Sequence, residues 1–324
     1  MTPSLINRIA LLGYQGLYIE DEISEGLEID DVISNDLRVQ TRKELQQLFF
    51  NMENNITTGA KKRIRSITSL AKEIVDEILC NRHAMINLVD LRTFDDYTYC
   101  HSLNVTVLAV VLGTALRLRR DTIYELAIGA LIHDTGKMFV GKEILNKPSK
   151  LNDEEFAQIK KHSELGFDYL CDNPDIPDSA KIATLQHHEQ FNGNGYPHGL
   201  SGKKIHQFGR IISVADVYDA LTSDRPYRKA MLPSDALEYI MGGYNTMFDP
   251  DIVKVLTKKV APYPIGTCVR LSSGELGIVI RNYEDTSLRP VVKLIEDNKP
   301  TNIIVDLSND RASLNVTIKE IVNP

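Results

Sequence analysis

The chain has 324 residues, a formal net charge of −7 at pH 7, 43% hydrophobic residues and 25% charged residues. This balance is typical of a folded globular protein, and the length allows two domains or one domain with additions. The acidic charge argues against a DNA- or RNA-binding protein, although bound metal ions could still attract a small phosphorylated ligand. No apolar stretch reaches the roughly 18 residues of a membrane span, and the scattered cysteines form no CxxC pair. We therefore expect a cytoplasmic protein with reduced thiols.

The chain divides into three regions of different composition. Residues 1–60 mix short apolar and acidic segments and predict a regulatory or packing region, through which a homodimer could form. Residues 61–260 contain successive apolar segments with helical spacing, which predict a mainly α helical bundle. After the Pro/Gly segment APYPIG, residues 265–324 carry short β-branched runs, two of them around Ser273 and Gly274. This pattern predicts a hairpin within a small C-terminal β-barrel or sandwich, and the flanking regions could also bind a protein partner.

Potential metal ligands recur along the apolar segments of region 61–260. In chain order they are His101, His133, Asp134, His162, His187, His188 and Asp216. A single buried histidine is more often a core residue bonded to a carbonyl, but these positions recur at intervals of 32, 29, 25 and 28 residues. Each interval fits one helix and its return, so several helices of a bundle could present ligands to one pocket. We therefore predict a helical bundle around a metal centre.

The types of these side chains indicate which chemistry the centre could perform. Imidazoles and carboxylates without cysteine suit iron, manganese, zinc or nickel better than a structural zinc site. Asp134 has two oxygens with which to bridge two metal ions, which would activate a water between them for attack on phosphorus. Lys137 could neutralise a phosphate oxygen, and Arg225 and Arg228 form either a solvated loop or a phosphate clamp. The predicted reaction is hydrolysis of a phosphate ester.

The stretch QHHEQFNGNGYPHGL (186–200) follows the helix that carries His187 and His188. Its glycines and Pro197 are incompatible with a continued helix. The simplest interpretation is a buried histidine pair followed by an ordinary turn. The other ligands along the chain favour a metal-binding helix end that opens into a substrate-sized loop.

Taken in order, five segments resemble the motifs of the HD-GYP subgroup of HD phosphohydrolases. They are HDTGK, HSELG, HHEQFNGNGYP, RIISVADVYDALTSDRPYRKA and GGYNTMFDPDIV, and the resemblance covers about residues 90–258. It implies a phosphodiesterase with two or three metal ions, usually iron or manganese, that hydrolyses cyclic di-GMP to pGpG or GMP.

The resemblance also assigns roles to individual residues. The seven candidate ligands become metal ligands, Lys137 contacts phosphate, and Asp134 and Lys137 are the catalytic candidates. Arg225 and Arg228 are expected to bind substrate phosphates. Further substrate-binding candidates are Gly195, Tyr196 and Pro197 in the loop, together with Asp219, one turn after Asp216.

Two positions depart from the motifs. Tyr97 stands where relatives with a third metal carry glutamate, so we predict a site with two metal ions. Asn192 stands in the loop where aspartate is common. Two other functions are compatible with the pattern: an HD hydrolase for another cyclic dinucleotide or nucleotide, and a non-catalytic receptor or scaffold for cyclic di-GMP. The loop argues against the first, and the complete ligand set argues against the second.

Overall fold

The computed structural model describes residues 4–5, 21–27, 32–54, 56, 60–80, 97–145, 147, 149–223, 229–297 and 299–322. Within these ranges, none of the helices combines the length and apolarity needed to cross a membrane. The helices are α1 (Asn35–Glu53), α2 (Ala60–Cys80), α3 (Tyr97–Ala115), α4 (Arg120–Ile132), α5 (Lys142–Leu145), α6 (Asp153–Lys160), α7 (His162–Cys171), α8 (Asp178–Gln186), α9 (Gln207–Thr222), α10 (Pro233–Gly242) and α11 (Pro250–Lys259).

Helix α3 lies at the centre of the bundle. Its sequence, YTYCHSLNVTVLAVVLGTA, is apolar around most of its circumference, as expected for a helix buried on all sides. Helices α1, α2, α4, α9 and α11 pack against it, and Leu108 and Leu112 are fully buried. His101 lies in its second turn and is also buried. The predicted buried helix around His101 is confirmed.

The first described long helix, α1, belongs to the same core. It packs against α2 and α3, and its residues Leu45, Leu48 and Phe49 are buried in one cluster with side chains of α3 and α4. The spacing of these apolar residues places them on one face of the helix. Residues 35–53 therefore pack into the bundle formed by region 61–260.

The C-terminal region is one antiparallel sheet with five described strands. In sheet order β4-β3-β2-β1-β5, the strands are β1 (Cys268–Leu271), β2 (Leu276–Arg281), β3 (Val291–Glu296), β4 (Lys299–Asp306) and β5 (Ile318–Ile321). The predicted hairpin is confirmed, since Gly274, at φ 107°, donates its N–H to the carbonyl of Leu271 at 2.9 Å. The predicted barrel is wrong: β5 returns beside β1, so β4 and β5 remain the two edges. A second sheet, as in a sandwich, does not occur among the described residues.

Candidate metal centre

A close contact between two backbone segments brings ligands from different helices together. After α4, residues Thr135–Phe139 form a 3-10 turn that packs against α7. A Cβ atom on Gly136 would lie 1.8 Å from the carbonyl oxygen of His162, so a side chain cannot be accommodated there. A Cβ atom on Gly166 would lie 3.0 Å from the backbone nitrogen of Gly136. The two glycines therefore allow the approach that sets His162 beside Asp134.

Three of the imidazoles are oriented by the same local contact. The Nδ1 atoms of His133, His162 and His187 each lie 2.7 Å from the carbonyl oxygen of the residue three positions earlier. These carbonyls belong to the last turns of α4, α6 and α8, where helix carbonyls lack a partner within the helix. A carbonyl oxygen only accepts, so each Nδ1 carries the hydrogen and donates it. In the neutral imidazole, each Nε2 atom then keeps a free lone pair, the state in which histidine binds a metal.

The Asp134 carboxylate lies between two sets of imidazoles. Its Oδ2 atom is 3.4 Å from His133 Nε2 and 3.6 Å from His101 Nε2. Its Oδ1 atom is 3.4 Å from His162 Nε2 and 3.8 Å from His187 Nε2. The side chains thus form two possible ligand groups that share Asp134, one with His101 and His133, the other with His162, His187 and His188.

Asp216 completes the centre from helix α9. Its Oδ1 atom lies 3.1 Å from His101 Nε2, and its Oδ2 atom lies 3.9 Å from His188 Nδ1. Asp216 is buried among the apolar side chains of α9, where an unpaired carboxylate would be costly. All seven predicted ligands therefore come together in the structure.

Several buried atoms of the centre could be satisfied by a cation. His162 Nε2 and His187 Nε2 lie 3.2 Å apart, although both rings donate through Nδ1 to carbonyls. Among the described residues, His133 Nε2 and Asp134 Oδ1 are buried and have no hydrogen-bond partner. Buried lone pairs without a partner are unfavourable, and a divalent metal ion satisfies them. The residues present therefore fit metal binding.

The protonation states of the centre also fit metal binding. Burial lowers the pKa of His162 to about 4 and that of His188 to about 3, so both imidazoles are neutral at pH 7. Burial alone would raise the pKa of Asp134, but the Lys137 ammonium and the neighbouring imidazoles hold it well below its usual value. Neutral imidazoles and an ionised carboxylate are the forms that coordinate a metal ion.

His101 differs because it lies between two carboxylates. Burial lowers its pKa, but the hydrogen bonds with Asp216 and Asp219 outweigh that effect and raise the pKa to about 9. Asp219 at Nδ1 and Asp216 at Nε2 thus favour a positive charge at this position, which is either a proton on His101 Nε2 or a metal ion that replaces that proton.

Asp219 does not occupy the position expected for a substrate-binding residue. It is fully buried, its Oδ2 atom lies 2.7 Å from His101 Nδ1, and its Oδ1 atom accepts from Asn104 Nδ2 at 2.9 Å. The predicted substrate contact is therefore wrong, because His101 stands between Asp219 and the centre. The carboxylate instead orients His101 and increases its basicity, as a carboxylate behind a metal-binding histidine does.

The loop after α8 is held by Glu189, a residue that the sequence interpretation missed. Its buried carboxylate accepts from the N–H of His198 at 2.8 Å and from the N–H of Leu200 at 2.9 Å. Loop N–H groups without strand or helix partners need such an acceptor. The signal was available, since a glutamate directly follows the two histidines and precedes a glycine-rich turn.

The remaining loop residues pack closely onto the helix end. A Cβ atom on Gly195 would lie 2.2 Å from the backbone nitrogen of Gln190. This contact brings the next ring, that of Tyr196, to 4.7 Å from the ring of His188, and Pro197 follows directly. Asn192 Oδ1 accepts from the N–H of Asn194 at 3.0 Å, so the amide provides the acceptor that an aspartate would provide here.

Of the other predicted site residues, Lys137 lies among the described residues, whereas the two arginines do not. Lys137 Nζ lies 2.5 Å from Asp134 Oδ2, at the edge of the centre, and its side chain is partly exposed. Arg225 and Arg228 lie outside the described residues, as does the side chain of Tyr97.

These features define a helical metal-binding domain in which five elements of a bundle bring imidazoles and carboxylates to one buried centre. A model of the HD domain matches residues 73–252 of this chain, which is more than half of it. The chain therefore belongs to the HD-domain family, and its motifs resemble those of the HD-GYP subgroup.

Comparison with known proteins supports this membership. The chain is 41% identical over 231 residues to cyclic di-GMP phosphodiesterase PA4108 of Pseudomonas aeruginosa, covering 70% of this chain and 56% of that protein. It is 29% identical over 245 residues to 3'3'-cGAMP-specific phosphodiesterase 1 of Vibrio cholerae, covering 72% of this chain and 49% of that protein. The chain thus spans about half the length of these curated relatives.

A solved structure has the same fold. Bd1817, an HDG"Y"P protein from Bdellovibrio bacteriovorus, aligns with a TM-score of 0.57 and 21% sequence identity. The alignment covers 70% of this chain and 73% of that chain. At this identity the likeness concerns the fold of the bundle alone.

Proposed function

We propose that this protein is a metal-dependent phosphodiesterase that hydrolyses cyclic di-GMP to pGpG, GMP or both. The observation that carries the proposal is the position of Asp134, whose two oxygens face two separate sets of imidazoles. The relative that is 41% identical is a cyclic di-GMP phosphodiesterase, which supports this substrate. The proposal therefore combines the ligand arrangement with the substrate of a similar protein.

The donor set supports two divalent ions, iron or manganese, with Asp134 as the shared ligand. One ion would bind His101, His133 and Asp134, and the other would bind Asp134, His162, His187 and His188. Asp216 faces both groups through His101 and His188. Bound ions would act as Lewis acids on the phosphate and lower the pKa of an attacking water.

The protein's own groups would orient the substrate. Lys137 is held against Asp134 and is partly exposed, so its ammonium group can also donate to a non-bridging phosphate oxygen. Tyr196 and Pro197 would form the wall beside His188, with their position held by the Glu189 contacts. Arg225 and Arg228 remain the proposed ligands for further phosphate oxygens.

Another cyclic dinucleotide, such as 3'3'-cGAMP, is the main alternative to cyclic di-GMP as the substrate. The Vibrio cholerae relative named above is specific for 3'3'-cGAMP, but its identity to this chain is only 29%, against 41% for the cyclic di-GMP relative. The intact ligand set also favours an enzyme that turns over its substrate, rather than a non-catalytic receptor.

The free cysteines of the described residues support the proposed cytoplasmic location. A homodimer and a protein partner stay predictions.

The decisive experiment measures metal content and hydrolysis on the same anaerobically purified sample. Elemental analysis should find about two iron or manganese ions per chain, and chromatography should show cyclic di-GMP converted faster than 3'3'-cGAMP. Asp134→Asn should lose metal and turnover while it keeps a cooperative thermal transition. Metal-loaded protein that binds cyclic di-GMP without cleaving it would overturn the enzymatic proposal, and about three ions would overturn the metal count.

A further inference from the structure

Lys160, the last residue of helix α6, has an unusual environment. Its Nζ atom lies 4.7 Å from the ring centre of Phe156 and 5.5 Å from that of Tyr196. Among the residues that the structure describes, no carboxylate forms an ion pair with this ammonium group. Aromatic faces attract an ammonium ion but do not neutralise its charge. Within the described part of the chain, Lys160 is therefore a positioned cation whose charge is not paired with a carboxylate.

This cation lies close to the metal centre. The ring of Tyr196 is 4.7 Å from the ring of His188 and 6.5 Å from the ring of His162, both of which are candidate ligands. Lys160 also precedes His162 by only two residues. A single aromatic side chain, that of Tyr196, thus contacts both the Lys160 ammonium group and the ligands of the centre.

The chemistry of a cyclic dinucleotide requires a cation at some distance from the metal ions. Such a molecule carries two phosphodiester groups, and only the one being cleaved can occupy the metal centre. Lys137 is already paired with Asp134, so it serves the phosphate at the metals. The second phosphate needs positive partners of its own. Arg225 and Arg228, which lie outside the described residues, are already proposed for phosphate oxygens, and Lys160 offers a further ammonium group among the described residues. An ammonium group acts on phosphate as a compact point charge.

We propose that Lys160 binds the phosphate of the cyclic dinucleotide that is not being cleaved, and so selects substrates with two phosphodiester groups. This inference rests on the proposed function. The aromatic contacts with Phe156 and Tyr196 would restrict the lysine side chain before substrate binds, which reduces the entropy lost on binding. Lys160 would therefore act mainly on substrate affinity.

The test compares two substrates across three variants. Cyclic di-GMP has two phosphodiester groups, whereas bis(p-nitrophenyl) phosphate has one and lacks the bases and riboses. The ratio of their kcat/KM values therefore reports contacts away from the cleaved phosphate, and the second phosphate is the anionic group among these that a lysine would bind. Lys160→Met should lower this ratio about tenfold through KM for cyclic di-GMP, and Lys160→Arg should restore most of it. The matched control is Lys161→Met, which removes the same charge from the exposed neighbouring residue and should keep the wild-type ratio.

Each outcome supports or overturns the proposed role of Lys160. An unchanged ratio in Lys160→Met would overturn the inference, as would an equal loss on both substrates, which would indicate damage to the site itself. If the metal-loaded wild-type protein does not cleave cyclic di-GMP, the proposed function fails independently of Lys160. Equilibrium dialysis with cyclic di-GMP then tests the inference alone: a Kd about tenfold higher in Lys160→Met than in Lys161→Met supports it, and equal values overturn it.

Discussion

The Nε2 atoms of His162 and His187 lie 3.2 Å apart, and neither ring has a hydrogen to place between them. Both rings use their hydrogen on Nδ1, which donates to the carbonyl of Ile159 in one case and of Thr184 in the other. Two buried lone pairs at this distance repel each other unless a cation lies nearby. The histidine pair therefore links metal binding to the stability of the fold.

Removal of metal should lower the melting temperature of the protein. Stripping with a chelator leaves the buried lone pairs of His162 and His187 without a cation, and adding Mn²⁺ should restore the transition. At free Mn²⁺ of about 100 times its Kd, the gain in unfolding free energy should be about 2.7 kcal/mol. Scanning calorimetry measures this gain, and Ca²⁺, which prefers oxygen ligands, is the control ion. Identical transitions with and without Mn²⁺ would argue against a metal at this site.

Asp219→Asn should weaken metal binding without unfolding the protein. The change keeps the size of the side chain but removes the charge that lies 2.7 Å from His101 Nδ1. Loss of such an outer partner typically lowers metal affinity about 10- to 100-fold. Titration of stripped protein with Mn²⁺ measures the effect, and the exposed Asp235→Asn is the control. If both variants bind Mn²⁺ as tightly as the wild type, Asp219 does not tune His101.

Gly136→Ala should destabilise the bundle and remove metal binding. The added Cβ atom would meet the carbonyl oxygen of His162 at 1.8 Å, and this backbone contact cannot relax by a side-chain movement. We expect a loss of about 3 kcal/mol or more in unfolding free energy, since strain of this kind gives the large mutational effects. Gly242→Ala is the matched control, because its Cβ atom would meet nothing within 4 Å. Equal denaturation midpoints for the two variants would contradict the close-contact argument.

Glu189→Gln should separate loop order from metal binding. The amide can accept only through one oxygen, so it cannot replace both contacts to the N–H groups of His198 and Leu200. We expect kcat/KM for cyclic di-GMP to fall about tenfold, while metal content stays at the wild-type level. Glu164→Gln, on the exposed face of α7, controls for loss of charge. A parallel loss of metal and activity would show instead that Glu189 supports the centre itself.

The candidate ligand residues could be identified from the sequence because they are chemically unusual where they occur. An ionisable group such as Asp216 within an apolar helix is costly unless it is paired or coordinated, and the regular recurrence of such groups indicated one shared pocket. The role of Asp219 could not be obtained in this way. Two aspartates one turn apart lie on the same side of a helix, and spacing alone cannot show which one reaches the centre.

The C-terminal sheet also has a feature that local sequence patterns could not predict. The hairpin around Gly274 depends on neighbouring residues, so its turn signal was sufficient. Closure depends on whether the last strand pairs with β1 or with β4, and this pairing is not encoded in any local pattern. The choice of β1 as the partner of β5 leaves the sheet open.

The sequence by itself determined the helical bundle and the seven candidate ligands, because hydrophobic periodicity and the side-chain types express these directly. Only the tertiary structure decided which nitrogen of His133, His162 and His187 faces the centre, because helix-end carbonyls orient the rings. It also decided that Asp134 faces two groups of imidazoles. That arrangement depends on the contact between Gly136 and the backbone of His162, which are far apart along the chain and meet only after folding.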